Sequence, residues 1–182
     1  VNQAQTYTVT AYKNGCSGIA RATTSSTNIS ITVSGNAQIC NGNSVTLIAN
    51  GTFDSVRWSI NGGSPSTSIS LTTVASTFNN SGFFNISIIA YKAGIASAAF
   101  NKTIQVKPTP TFVFTPTAPT TCAGDSIEIT ADYLLGATCI WSTGSPNQTI
   151  KVAPLVNTYY SVTVTNDGCT AVDSVLVTVK PT

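Results

Sequence analysis

Six carboxylates and five cysteines are the side chains any chemistry here would have to use, because the 182 residues contain no histidine. Without an imidazole, Ser-His-Asp and Cys-His nucleophile pairs and His-containing zinc sites are excluded. The acids are Asp54, Asp125, Glu128, Asp132, Asp167 and Asp173. A glycosidase needs two carboxylates flanking one bond, and no two of these recur as a pair at matching positions of the internal repeats. An oxygen-ligated calcium site would draw on the densest group, Asp125, Glu128 and Asp132. Alternation turns Glu128 toward solvent and leaves Asp132 in the loop beyond its strand. Asp125 and Asp167 read as strand-opening and turn residues. No catalytic residue, metal or cofactor is expected.

The elements that would position these groups are strands. The chain is 42% hydrophobic, only 8% charged, carries a net charge of +2 and is crowded with Thr, Ser and Asn. A disordered chain would carry more charge and fewer β-branched residues, and scarce Leu and Glu exclude a helical bundle. Eight cations without a basic run lack the footprint of a nucleic-acid binder, so no nucleic-acid partner is expected. No signal peptide is read in these residues, and no apolar run among them approaches the roughly 18 residues of a membrane span. The chain opens at Val1, without an initiator Met and within a strand-like pattern, and reads as a piece of a longer polypeptide. A neutral, hydroxyl-rich surface with several cysteines points to the extracellular side.

Three segments align without gaps around one strand and its turn. They run from Tyr7 to Cys16, from Ile86 to Ile95 and from Tyr160 to Cys169, each with glycine at the same place. A closing strand is read at Ile31-Thr32-Val33, Ile104-Gln105-Val106 and Val177-Thr178-Val179. Cys40-Asn41-Gly42 matches Cys122-Ala123-Gly124, and Trp58-Ser59 matches Trp141-Ser142. Residues 1–35 are therefore predicted as the C-terminal part of one repeat, 36–108 as a second and 109–182 as a third. The proline-rich stretch 108–121 reads as a semi-rigid linker interrupted by an edge strand over Thr111–Thr115.

Period-2 alternation assigns the faces. Val45, Leu47 and Ala49 point inward, as do Ile127, Ile129 and Ala131, and Trp58 and Trp141 anchor the two cores. Short strands between Gly, Asn and Pro turns predict an all-β, two-sheet sandwich of roughly seven strands per repeat. Tyr12, Tyr91 and Tyr159 fall outside these cores, and their separation in sequence suits packing between repeats better than a sugar-binding platform.

The cysteines divide by position. Cys139 takes the inward site that Val56 holds in the other repeat and reads as a buried thiol. Cys122 and Cys169 open and close one repeat, and a bond between them would staple it. In a sandwich those two places lie at opposite ends, beyond the roughly 4.4–6.8 Å Cα separation a disulfide allows. Cys40 with Cys169, joining neighbouring repeats, is the alternative, leaving Cys16 and Cys122 to bond with repeats beyond the fragment. Both schemes stand at this level.

The run from Cys122 through Trp141-Ser142 and Tyr160-Ser161-Val162-Thr163-Val164-Thr165 to Asp167-Gly168-Cys169 resembles the PKD-like and immunoglobulin-like tandem repeats of Bacteroidota surface proteins. The resemblance covers nearly the whole chain, on short motifs. It implies tandem β-sandwiches on a cell surface, exported by type IX secretion and including gliding-motility adhesins, with outer-membrane attachment and no catalytic residues. Under it, Asp54-Ser55-Val56, Asp125-Ser126-Ile127 and Asp173-Ser174-Val175 fit the Asp-Ser/Thr-apolar pattern of Bacteroidota O-glycosylation. Alternation turns Ser55, Ser126 and Ser174 outward, and the competing reading is that Asp-Ser only opens a strand.

The expected function is a non-catalytic stalk segment of a large secreted adhesin. Its partners would be neighbouring repeats of the same polypeptide, with surface polysaccharide or the outer-membrane secretion and anchoring proteins as further candidates. The alternative is an accessory module, carbohydrate-binding or spacer, of a secreted polysaccharide hydrolase.

Overall fold

The computed structural model describes residues 6–23, 29–70 and 72–181. Among them every regular element is a strand. The first six are β1 (Thr6–Lys13), β2 (Cys16–Thr23), β3 (Ile31–Ser34), β4 (Gln38–Cys40), β5 (Ser44–Gly51) and β6 (Ser55–Ile60). There follow β7 (Gly63–Ser64), β8 (Thr67–Ser70), β9 (Thr73–Phe78), β10 (Gly82–Lys92), β11 (Ile95–Ala96) and β12 (Phe100–Lys107). The rest are β13 (Phe112–Thr115), β14 (Thr120–Cys122), β15 (Ile127–Tyr133), β16 (Thr138–Trp141), β17 (Thr149–Val152), β18 (Thr158–Asn166) and β19 (Cys169–Lys180). The strands gather into two compact units, one of Val1–Asn36, Ser44–Thr77 and Asn85–Thr103, the other of Ala37–Asn43, Phe78–Phe84 and Ile104–Thr182.

In the first unit β3, β5, β9 and β7 form one sheet, while β6 pairs antiparallel with β10 and β8. Alternation along β5 buries Val45, Leu47 and Ala49 and leaves the residues between them exposed. Across the core β6 buries Val56, Trp58 and Ile60, each opposite a buried residue of β10, with Trp58 facing Ile88. The chain leaves β3 at Gly35, whose φ is +129°, and a Cβ there would stand 2.6 Å from the Thr46 carbonyl oxygen. Only glycine combines that backbone with that approach.

The hairpin of β1 and β2 pairs from Thr6↔Thr23 to Lys13↔Cys16. Its turn, Asn14-Gly15, has φ of 52° and 78°, and Ala93-Gly94 and Asp167-Gly168 take the same left-handed pair. Two consecutive positive φ values define the turn that matches the natural twist of a hairpin. The threefold sequence alignment is thus an alignment of one turn.

The second unit contains a sheet β13–β15–β17 and a sheet β14–β19–β18–β16. Between them lie Ile129, Ala131, Cys139, Trp141, Ile150, Val162, Val164, Val175 and Val177, all buried. Two sheets, antiparallel except for the pair of β14 with β19, whose opening strand divides between them make an immunoglobulin-like sandwich. β4 and β12 add a parallel pair to this unit, Cys40 standing opposite Lys107.

The strand pairings correct two expectations. Ile31–Val33 does not close a preceding repeat but opens a sheet, pairing with β5 as Val33↔Ala49. Its counterpart is β13, which pairs with β15 in the same sense. An apolar-polar-apolar triplet specifies a face and not a neighbour, so it fits an opening strand as well as a closing one. The stretch 108–121 is likewise no linker, although the edge strand read over Thr111–Thr115 is present as β13 (Phe112–Thr115). β13 lies in one sheet and β14 in the other, running parallel to β19, and the changeover falls across Pro116-Thr117-Ala118-Pro119. Proline cannot donate to a ladder, so the first pairing ends there. Pro119 is itself buried, and its carbonyl accepts from Thr178 N at 3.0 Å.

Candidate functional site

Cys40 and Cys169 are joined by a disulfide with Cα atoms 5.6 Å apart. Cys40 ends β4, opposite Lys107 at the end of β12, while Cys169 opens β19 directly after the Asp167-Gly168 turn. Lys107 reaches that turn as well. Its Nζ donates to the Asp167 carbonyl oxygen and to Oδ1, each at 3.1 Å. Two adjacent strand ends, one carrying Cys and the other Lys, thus hold a hairpin tip carrying Asp, Gly and Cys. No spacing or periodicity in the sequence marks this ion pair, whose partners lie 60 positions apart.

The alternative bond between Cys122 and Cys169 is not formed. Cys122 sits opposite Lys180, the far end of the strand that begins at Cys169. Eleven residues of strand separate the two places by roughly 35 Å. Cys122 and Cys16 are free and exposed, and Cys139 is free and buried.

The acids do not converge. Among the described residues no group of three could hold a metal ion. Glu128 is exposed opposite Lys151, and Asp132 lies within β15, not beyond it, where Oδ2 accepts from Thr115 Oγ1. The pairing of β13 with β15 explains the difference, because it draws two more residue pairs into the ladder, Val113↔Asp132 and Phe112↔Tyr133. Asp54 Oδ2 accepts from Ala93 N at 2.7 Å, beneath one of the left-handed turns. Asp173 Oδ1 accepts from Ser174 N at 2.7 Å.

Of the three Asp-Ser serines, Ser126 and Ser174 are exposed and Ser55 is half-buried. Ser126 directly precedes β15, Ser174 lies opposite Ser161, and Ser55 opens β6 opposite Tyr91. Tyr12 and Tyr159 are exposed and Tyr91 is half-buried. Tyr12 and Tyr91 belong to hairpins of one pattern, each standing one residue before the lysine that ends its strand.

Cys139 lies opposite Val164, as Val56 lies opposite Ala90. Its thiol donates to Asn147 O at 3.3 Å, and Trp141 Nε1 donates to the same oxygen at 2.9 Å. The half-buried Tyr133 phenol is pushed up from 10.0 to about 12, first by its hydrogen bond to Cys139, then by burial and by the electrostatic influence of Cys139. A folded pKa above the unfolded one means this contact supports the fold below about pH 10. That support is lost as the pH rises through about 12. Ultraviolet titration against Tyr133→Phe should show one late phenol, and Cys139→Ala should return it toward 10. A Tyr133 step near 10 in the unaltered protein would show that the contact is not made.

No protein-family model matches the chain, and no match is found among curated proteins. Among solved structures it is similar to extracellular domains 3–5 of Drosophila OTK, at 14% identity and a TM-score of 0.40 over 98% of this chain and 72% of that one. It is also similar to the N-terminal four Ig domains of Dscam1 isoform 1.9, at 13% identity and a TM-score of 0.36. That match covers 91% of this chain, which spans about half of the Dscam1 structure, 51%.

Proposed function

We propose that the chain is a non-catalytic stalk segment of a large secreted cell-surface adhesin, of the kind Bacteroidota export by type IX secretion and use in gliding motility. The observation that carries this reading is the recurrence of one unit: the same left-handed turn occurs three times and the same Trp-anchored strand twice. Repetition adds reach without new chemistry. Two of the six acids are engaged in holding turns, Asp54 beneath one and Asp167 in an ion pair. A disulfide suits an oxidising exterior. The sequence resemblance supplies the bacterial and secretory part of the proposal. Neighbouring repeats are the first partners, and surface polysaccharide or outer-membrane secretion and anchoring proteins would act at the ends of the array.

Ser55, Ser126 and Ser174 belong to the same proposal as O-glycosylation sites. Intact-mass analysis of material from the native source should show sugar-sized additions that Ser→Ala changes remove one at a time. An antibody to this segment should label intact cells. Failure of that labelling would remove the surface stalk, whereas an unmodified native mass would remove only the glycans. A hydrolase domain beside these repeats in the parent polypeptide would favour the accessory-module reading instead.

A further inference from the structure

We infer that Cys122 and Lys180 form an open socket for the hairpin tip of another repeat, and that the Asn14-Gly15-Cys16 tip of a second copy of this chain fits it, closing a head-to-tail disulfide. The template is the occupied socket in the same molecule. Cys40 stands opposite Lys107 across a parallel strand pair, and Cys122 stands opposite Lys180 across another. Asn43 N donates to Cys40 O at 3.1 Å, and Asp125 N donates to Cys122 O at 3.1 Å. Gly42 N donates to Phe78 O, and Gly124 N to Pro154 O. Strand register, turn and anchoring loop are therefore built alike at both places, yet one cysteine is bonded and the other is a free, exposed thiol.

The plug is duplicated too. Cys169 follows a turn with φ of 49° and 82° and lies opposite Asn166. Cys16 follows a turn with φ of 52° and 78° and lies opposite Lys13. Both sulfurs thus leave a hairpin at the same point, and Cys16 is free and exposed.

The surface beside Cys122 adds a separate indication. After the anchoring carbonyls, the occupied socket continues as Asn79-Asn80-Ser81 and the open one as Leu155-Val156-Asn157. Leu155 and Val156 are 73% and 69% exposed, on a groove of about 520 Å³ that also includes Ala123, Val179 and Lys180. Apolar side chains held open beside a free thiol favour an occupant with its own apolar surface. The Cys16 hairpin carries Tyr12 79% exposed and Ile19 64% exposed.

The bond forms by exchange with a small-molecule disulfide such as oxidised glutathione. The Cys122 thiolate attacks one sulfur and expels a glutathione thiolate, and the Cys16 thiolate of the second copy then displaces the other glutathione from the mixed disulfide. Two protein thiols are oxidised and one glutathione disulfide is reduced to two thiols. Asn14 replaces the acid of the template, so Lys180 keeps the turn carbonyl as acceptor but loses the ion pair.

The inference shares only the repetition with the stalk proposal, and its test on the isolated chain is indifferent to where the protein is displayed. The purified chain is incubated in mixed reduced and oxidised glutathione, then resolved by non-reducing electrophoresis and disulfide peptide mapping. A ladder of oligomers is expected, with Cys16–Cys122 in excess of the statistical mixture and Cys40–Cys169 retained. Cys16→Ser and Cys122→Ser should each abolish the ladder while tryptophan fluorescence stays native. Asn14→Asp should raise the yield several-fold, and Lys180→Glu should lower it. Absence of oligomers, a statistical mixture with Cys16–Cys16 and Cys122–Cys122, or insensitivity to Lys180→Glu would overturn the inference.

Discussion

Trp58→Ala and Trp141→Ala should each lower the unfolding free energy of the affected unit by about 3–5 kcal/mol, the usual cost of emptying a buried aromatic site. The indoles are 0% and 2% exposed, each on a sheet strand at a position that alternation buries. A sandwich of this size has a thin core, so neighbours cannot close over the cavity without losing contacts of their own. The two sites differ in one respect that separates packing from hydrogen bonding. Trp141 Nε1 donates to Asn147 O at 2.9 Å, whereas Trp58 Nε1 is buried with no hydrogen-bond partner. Trp→Phe should therefore be the gentler change at position 58. At position 141 it also removes a bond, adding about 1 kcal/mol. Denaturant titration followed by the remaining tryptophan reports on the other unit as an internal control. Equal costs for the two Trp→Phe changes would mean that the Asn147 bond contributes nothing net.

The faces of the strands were legible before their neighbours were. Alternation at Val45, Leu47 and Ala49 and at Val56 and Trp58 assigns inward positions that are all buried. A two-residue period follows from the pleat alone and needs no knowledge of tertiary structure. Which strand pairs with which is a non-local matter, and Ile31–Val33 shows the consequence. The same triplet serves a closing or an opening strand, and the close approach at Gly35 that lets the chain change course is invisible in a list of residues. Val9 makes the point from the other side. It alternates as Ile88 does, yet it is 64% exposed while Ile88 is 0% exposed. A pattern specifies a face suited to burial and not what covers it. At the site, the positions of the cysteines offered two bonding schemes, and the length of a strand spoke against Cys122 with Cys169 without deciding between them; the bond is Cys40–Cys169. The Lys107–Asp167 pair spans 60 positions and leaves no periodic trace, so its geometry had to be seen.

Opening the Cys40–Cys169 bond should lower the stability of the second unit by about 3–5 kcal/mol. The bond joins residues 129 positions apart, and loop-closure entropy alone assigns a cross-link of that span about 5 kcal/mol. Residual structure in the unfolded chain reduces this figure. The neighbouring ion pair gives a scale for comparison. Lys107 and Asp167 have side chains 18% and 69% exposed, so Lys107→Ala should cost no more than about 1 kcal/mol. The two effects act on different states of the chain, the disulfide mainly on the unfolded ensemble and the ion pair on the folded tip. The appropriate variant is the double change Cys40→Ala with Cys169→Ala. Cys169 is 1% exposed, and a serine there would add the cost of burying a hydroxyl. Denaturation followed through Trp141 should show the midpoint falling alike in the double variant and in the reduced parent. A midpoint that stays in place after reduction, with the free thiols counted by mass, would show that the β4 strand end and the β19 tip are held together by their other contacts.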